Sequence, residues 1–579
     1  MPAPVQVGFT NGYEFTQGQG YVLPEYPFVT PPELTGQQSD PSAVVYPVVI
    51  VGGGITGLTL ACSLARLGVQ AVLLDEDNTV GVKGASSRGI CYTQKSLEIF
   101  HKLGIYDRIA GKGIQWSVGR TFAGSDEVYS FDLRQQSQYN LSVQPPFINI
   151  QQFYIEGYLV ERIQELGQVD LRWQSRITAF EQNEALATLT VQTPQGNYCM
   201  QAHHVIDATG SGTPFHAWVN ASTQSKRGDD RWCIADVRFT KRPPTERHTW
   251  IEAPFNENRA VWQHKMADEV WRIDYQMAPN ADPAYVSRED VVRERLQRQF
   301  GADVGVEIVW VGPYAYRSQC VDAMRHGHLF FLGDTAKVVS PFGARGGNTG
   351  ISDADNLAWK LMAVLRGHAA GALLDSYNDE RLEAARENVR VTDRTARYLR
   401  APEGMERVFR TASIGLAKQY PFARALINTG RMAIANPYTR SGICRSSGGV
   451  SVQNVNFYWN PWSDAEGCLN DLLGWCNGSL LLLWFGNLSG QEAPRLRQLG
   501  THAPVQIVQV ADASARVQCV EHVHDPLQHL KTATQLGQQQ WALVRPDAYL
   551  AATGNGAGSE LVHTLEAALG RKPLSKKSL

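Results

Sequence analysis

The chain has 579 residues, 43% hydrophobic and 19% charged, with 54 Lys plus Arg against 56 Asp plus Glu. That length predicts about three or four domains, with cores large enough to need no disulfide or metal staple. The net charge of −2 argues against a nucleic-acid partner, and ordinary Gly and Pro usage excludes a fibrous or low-complexity chain.

Residues 1–43 read as an N-terminal arm, rich in Gly, Pro and Gln, with Phe9, Tyr13, Phe15, Tyr21, Tyr26 and Phe28 spread through it. Aromatics at that density fit an arm packed on the body or on a second subunit; a loose tail is the competing reading. The first 45 residues carry no Lys or Arg, so neither a secretory leader nor an Arg-rich transit peptide is expected. Nine scattered cysteines without a CxxC pair fit a reducing, cytoplasmic setting. No apolar run reaches the 18 or so residues of a membrane span.

Val44 to Val51 is an apolar run of the kind a strand buried on both faces shows. Gly52-Gly53-Gly54-Ile55-Thr56-Gly57 follows, then apolar residues at helical spacing to Leu67, a Gly68 stop, and a second strand from Ala71 to Leu74 ending at Asp75. In such a βαβ opening Gly52 makes the tight turn and Gly54 lets a pyrophosphate approach the backbone. Gly57 lets the helix pack on the sheet, and Asp75 accepts a ribose hydroxyl. The pattern predicts dinucleotide binding without separating FAD from NAD.

Between about 170 and 320 the period turns to strands: 186–193, 199–206, 232–239, 250–252, 261–265 and 270–277. In the last, Trp271, Ile273 and Tyr275 alternate with Arg272, Asp274 and Gln276, after a hairpin turn at 267–269. Leu329 to Leu332 is a buried strand ending in Gly333-Asp334. A Gly-rich loop follows (Ser340-Pro341-Phe342-Gly343-Ala344-Arg345-Gly346-Gly347-Asn348-Thr349-Gly350), then a helix with Asp353, Asp355 and Asn356. An acid at a strand's C-terminal end and a Gly-rich loop opening a helix aim polar groups at a ligand in the crevice of an open α/β sheet. Helical spacing continues to about 435. Residues 441–465 read as a linker, and 466–579 as a separate αβ segment with buried strands 480–485, 505–510 and 541–544.

Together these motifs resemble the FAD-dependent aromatic hydroxylases, the single-component flavoprotein monooxygenases acting on hydroxyphenylpropionate-like, hydroxybenzoate-like and phenol substrates. The resemblance covers nearly all of the chain from residue 45. It implies an α/β fold with a Rossmann-type FAD-binding domain (44–175 and 320–390) interleaved with a β-sheet substrate domain (176–319). A helical segment (391–440) and a C-terminal thioredoxin-like domain (466–579) would follow. The last is suggested by Trp541-Ala542-Leu543-Val544-Arg545-Pro546-Asp547-Ala548-Tyr549; without a CxxC it would serve packing or dimer contact.

By the same resemblance Gly52, Gly54, Ile55, Thr56, Gly57, Asp75 and Glu76 bind the ADP part of FAD, and Gly333 and Asp334 its ribitol. Pro341, Gly343, Gly346, Gly347, Asn348 and Thr349 lie against the isoalloxazine. The stretch Ser87-Arg88-Gly89-Ile90 gives Arg88 a phosphate contact, and Gln151-Gln152-Phe153 places Gln152 beside the flavin. Three positions depart from the family pattern: Thr209, after Asp207, stands where Asp is usual, His216 where Arg is usual, and Lys337 replaces a His. These departures bear on the nicotinamide step more than on FAD. The substrate region falls on Trp262, His264, Trp271, Arg272, Tyr275 and Pro341; strand aromatics are also ordinary core, so no catalytic residue is assigned, and no metal ligand set is expected.

The implied reaction is hydroxylation of a small phenolic aromatic compound by O2, with NADPH or NADH reducing FAD and a flavin C4a-hydroperoxide delivering oxygen. The alternative is a flavoprotein that oxidises, epoxidises or inserts oxygen into a larger aromatic metabolite with altered nicotinamide handling. A non-enzymatic FAD-containing scaffold is the third reading. A homodimer is the expected assembly.

Overall fold

The computed structural model describes residues 23–35, 44–81, 89–400, 402–427, 432–445, 448–459, 465–488, 491–511 and 521–571. Three larger sheets organise the described residues, beside a three-stranded and a two-stranded one. The first has eight strands. Val45–Val51 lies at its centre, parallel to Gly196–Asp207 on one side and Ala71–Leu74 on the other, with Ile50 opposite Ile206 and Leu73. Helices Ile55–Arg66, Gly346–Leu365 and Gln152–Leu166 pack together beside this sheet, which explains why its central strands are apolar on both faces.

The second sheet is mostly antiparallel. It runs in the order Lys337–Val338, Val306–Val321, Thr223–Phe239, Trp271–Gln276, Arg259–Lys265, Arg247–Ala253, Val118–Ala123, Asp126–Asp132. The sheets do not follow the boundaries expected from sequence. Strands Arg176–Gln182 and Ala187–Thr193 extend the first sheet, because they form a meander with Gly196–Asp207, whose far end runs parallel to Val45–Val51. Val118–Ala123 and Asp126–Asp132, expected in the FAD-binding part, join the second sheet through Arg247–Ala253.

The third sheet places parallel strands Glu521–Val523, Val505–Val510 and Leu480–Phe485 beside antiparallel Trp541–Val544 and Leu550–Gly554. The stretch expected to be a linker is part of this unit: Val452, Val455 and Phe457 are buried in its core. A buried charge network docks it on the first body. Arg545 pairs with Glu380 at 2.5 Å and with Asp547, while Lys360 reaches Glu380 at 2.8 Å, all with side chains at most 2% exposed. Removing one member would leave its partner's charge buried and unpaired, a cost of about 3–5 kcal/mol. No helix among the described residues is long and apolar enough to cross a membrane.

Of the N-terminal arm, residues 23–35 lie on the body. Tyr26 stacks on Trp173 at 4.5 Å, its N–H donates to Asn78, and Glu33 pairs with the buried Arg172 at 3.0 Å. Phe9, Tyr13, Phe15 and Tyr21 lie outside the described residues.

Candidate functional site

The first part of the site is the turn after Val45–Val51. Gly52 has φ +108°, and a Cβ there would overlap the Ala208 carbonyl; one on Gly57 would overlap the carbonyl oxygen of Gly52. Gly54 differs: nothing lies nearer to its would-be Cβ than Glu156 Oε1 at 4.0 Å, so its face is open. The turn is closed where helix meets strand and open where a ligand would meet backbone, the arrangement a pyrophosphate needs. Ile55 begins the helix.

At the end of the second strand Asp75 accepts the Gly53 and Asp77 N–H groups, and burial pushes its carboxyl up to about 6. Glu76 is exposed and lies 3.5 Å from Arg176. Thr56 packs against Gly333 and Gly350, which brings the first glycine motif onto the second. Gln152 accepts from the Gly89 N–H at 3.1 Å and donates to Glu156 at 2.8 Å. Glu156 is buried one helical turn beyond Gln152, accepts the Gly81 and Ile55 N–H groups, and is raised to about 7 by burial. That i, i+4 pair was visible in the sequence as spacing alone. Arg88 lies outside the described residues.

The Gly333-Asp334 corner is held from behind. Gly333 (φ +63°) donates to Asp353 Oδ2 at 3.2 Å, and the same buried carboxylate pairs with Lys337 and with Arg381 at 2.5 Å. Lys337 is therefore held in an ion pair inside the protein, sharing Asp353 with Arg381. Asp334 is half-buried at the corner. Thr209 is equally absorbed: its hydroxyl donates to Asp207 at 2.7 Å, and Thr213 donates to the other carboxylate oxygen at 2.6 Å. The hydroxyls pull down an Asp207 carboxyl that burial raises to about 6. His216 Nε2 lies 2.9 Å from the Thr335 carbonyl, tying this loop to the Gly333-Asp334 corner.

The glycine-rich stretch divides differently from the sequence expectation. Only Ser340 to Arg345 is loop; Gly346 to Gly350 is already the first turn of helix Gly346–Leu365. A Cβ on Gly346 or Gly347 would meet nothing within 4 Å, so the open N–H end of a 20-residue helix faces free space. Asn348 serves as a brace: its side chain bonds the Thr93 N–H at 3.0 Å and the Cys91 carbonyl at 2.8 Å. Thr349 donates to the Arg345 carbonyl.

Pro341 and Gly343 flank Phe342, which sends the loop onto the second sheet. Its ring lies 4.9 Å from Trp262, 6.1 Å from Trp232 and 5.9 Å from Tyr316. Strand register decides which residues share that face. Asp274 opposes Trp262 and Ile234, and Arg272 opposes His264 and Asp236, so Trp262, His264, Arg272 and Asp274 face the Phe342 loop. Trp271 and Tyr275 belong to the opposite face, packed with Val292 and Leu296 of helix Glu289–Phe300. Period-two geometry puts them there, away from the Phe342 loop.

The Phe342 face carries a charged row. Arg272 makes two bonds to Asp236, at 2.8 and 2.9 Å, with both side chains buried. Arg247, 7% exposed, lies over the Trp262 ring at 5.6 Å. Burial and the neighbouring Arg247 and Arg272 hold the His264 imidazole well below its usual range, so it is neutral. Sequence reasoning missed Arg247 and Asp274; only the strand pairing brings them to this place.

Away from this site, His101, Cys468 and Asp471 place ligand atoms within 4.8 Å of one another. Gln144 Nε2 lies 3.0 Å from His101 Nδ1, and His101 Nε2 lies 3.5 Å from Asp471 Oδ1. Hydrogen bonds to Asp471 and Cys468 raise the imidazole to about 10, which makes the cluster an ion pair at neutral pH.

Residues 45–392 match a family described as an FAD binding domain. The 3-(3-hydroxy-phenyl)propionate/3-hydroxycinnamic acid hydroxylase of Klebsiella pneumoniae (strain 342) is 22% identical over 520 residues, 87% of this chain and 91% of the relative. Two solved structures share the fold. The flavin-dependent monooxygenase PieE, in complex with FAD and substrate, has a TM-score of 0.76 at 21% identity, over 92% of this chain and 100% of its own. Aklavinone-11 hydroxylase, with FAD and aklavinone, has a TM-score of 0.71 at 19% identity, over 91% and 99%.

Proposed function

Because the chain belongs to the FAD-binding family of flavin-dependent aromatic monooxygenases, we propose that it hydroxylates a phenolic ring using NAD(P)H and O2. When bound, FAD supplies hydride acceptance and the activation of O2 for transfer of one oxygen atom to an aromatic ring. The residues present fit it. Gly52, Gly54 and Gly57 with the start of helix Ile55–Arg66 would hold the pyrophosphate, with Thr56 behind them and Arg88 beside them by resemblance. Asp75, next to Glu76, would hold the ribose and Asp334 the ribitol. Gly346 and Gly347 would offer backbone N–H groups to the ring edge, with Gln152 at its side.

The observation that carries the reading is the Phe342 contact. One loop, Ser340 to Arg345, connects the open helix end to an aromatic wall of Trp232, Trp262 and Tyr316. This chain's part in the chemistry is to bury the reacting ring beside that wall and the loop, exclude water, and fix its orientation. Internal pairing of Lys337 and Thr209 supports an ordinary reductive step. The wall is aromatic throughout, so single-ring and fused-ring phenols both belong in the test.

The reading carries a cytoplasmic homodimer with it, since NAD(P)H is supplied there and twofold dimers dominate. The strand order of the third sheet supports a thioredoxin-like unit without redox function.

The test is anaerobic stopped-flow reduction of the FAD-loaded protein by NADH and NADPH, with phenolic acids and fused-ring phenols, followed by product analysis in air. Fast reduction with a hydroxylated product is expected. Absence of reduction with every phenol would sink the hydroxylase reading.

A further inference from the structure

The Phe342 face holds five buried side chains with a polar atom that has no protein partner: Trp232 Nε1, Trp262 Nε1, His264 Nδ1, Asp274 Oδ1 and Arg247 Nε. All five are 7% exposed or less. Orphaned polar atoms at this density are costly unless something meets them. The face opposite buries Ala235, Val237, Ile273 and Trp271 against a helix, and of these only Trp271 has an orphaned atom, Nε1. The orphans therefore mark where a ligand's own polar groups belong.

We propose that Asp274 accepts the proton of the substrate's phenolic hydroxyl and that Arg247 faces the phenolate so formed. This deepens the hydroxylase reading and rests on it. The phenol O–H bond breaks, its electron pair stays on the oxygen, and the proton bonds to Asp274 Oδ1. Negative charge passes from the carboxylate to the ring, which becomes the better nucleophile toward an electrophilic oxygen. Arg247 compensates the charge before and after the transfer.

Three observations single out Asp274 among the acids and bases of this face. Asp236 gives both carboxylate oxygens to the Arg272 guanidinium, which makes it a poor base. His264 lies near two guanidinium groups that oppose its protonation. Asp274 keeps Oδ1 unpartnered and stands directly across from Trp262, whose ring touches Phe342 of the flavin-side loop. The charged groups facing it are Arg272 on its own strand, Asp236 on Thr223–Phe239 and Arg247 on Arg247–Ala253, with neutral His264 on Arg259–Lys265. Burial lifts its carboxyl to about 7, Arg272 and Arg247 pull it down, and Asp236 raises it. A base in that range serves near neutral pH.

The test compares wild type, Asp274→Asn and Asp274→Glu, all FAD-loaded, on 1-naphthol and nitro-substituted naphthols of graded acidity. Wild-type turnover of 1-naphthol should rise with pH through about 7 as the carboxyl ionises. Asp274→Asn should lose about 100-fold in kcat on 1-naphthol and the pH-dependent rise, while recovering activity on nitronaphthols already ionised in solution. Asp274→Glu, which keeps a carboxylate, should keep the rise and serves if the Asn variant does not fold. A wild-type pH profile in Asp274→Asn, or an equal loss on every naphthol whatever its acidity, would overturn the assignment. Failure of wild type to hydroxylate any phenol would instead overturn the hydroxylase reading itself.

Discussion

The two faces of the second sheet are built from the same strands and do opposite work. One side of Trp271–Gln276 presents Trp271, Ile273 and Tyr275 to helix Glu289–Phe300, where Tyr275 reaches Gln299 at 2.8 Å. Its other side presents Arg272 and Asp274 to a wall of aromatics with orphaned N–H groups. The packed face also buries Trp271 Nε1 without a partner, but the Phe342 face gathers five such side chains in one place, the density that a ligand's polar groups would meet. On the proposed reading, alternation along one strand separates packing residues from substrate-facing ones.

That contrast can be broken at several points. The largest effect is expected at the charged pair. Arg272→Ala leaves Asp236 buried without its guanidinium and should cost about 3–5 kcal/mol of stability, read by urea unfolding of the FAD-loaded protein. Trp271→Ala should cost a similar amount, about 3–5 kcal/mol, yet leave KM for the substrate unchanged in the folded fraction. A rise in KM would show that the two faces are not independent.

Trp262→Leu should do the reverse. Its ring contacts Phe342, Trp232 and Arg247, so kcat/KM should fall by about tenfold, worth about 1.4 kcal/mol, with a smaller change in unfolding.

Asp274→Asn gives a pH signature in stability. The folded carboxyl is raised to about 7 from 3.8, so the native state holds the proton more tightly than the unfolded chain. The stability this gives is present below pH 4 and is lost as pH rises through about 7. The variant should gain on wild type across that window and level off above it; equal slopes in urea titrations at pH 4–8 would refute the shift. The smallest effect is expected at Tyr26→Ala, outside the sheet. The variant loses the ring stacked on Trp173 but keeps the backbone bonds of Tyr26 and Pro24 to Asn78 and Thr79, in the loop that follows Asp75, so FAD affinity should weaken only a few-fold, measured by fluorescence titration.

The sequence by itself determined the local parts. Gly52, Gly54, Gly57 and Asp75 were legible because a tight turn, an open backbone and a strand-end acid all fall within 24 consecutive residues. The strand periods of 232–239, 261–265 and 270–277 were legible for the same reason, since alternation needs only neighbours. Tertiary structure decided what lies between those parts. Residues 176–193 extend the first sheet because they pair in series with Gly196–Asp207, and 118–132 close the second, through pairings as distant as Thr249 with Thr121. Trp271 and Tyr275 could not be told from Trp262 by type, because register alone sets the face. Arg247 and Asp274 carry no motif: they meet only when strands separated in sequence align beneath a loop some 70 residues further on. Lys337 and Thr209, departures in sequence, are ordinary in space, because Asp353 pairs with one and Asp207 satisfies the other within hydrogen-bond distance. Local geometry is written in consecutive residues, whereas burial, charge balance and unmet hydrogen bonds belong to the assembled surface, and it is there that the candidate base became visible.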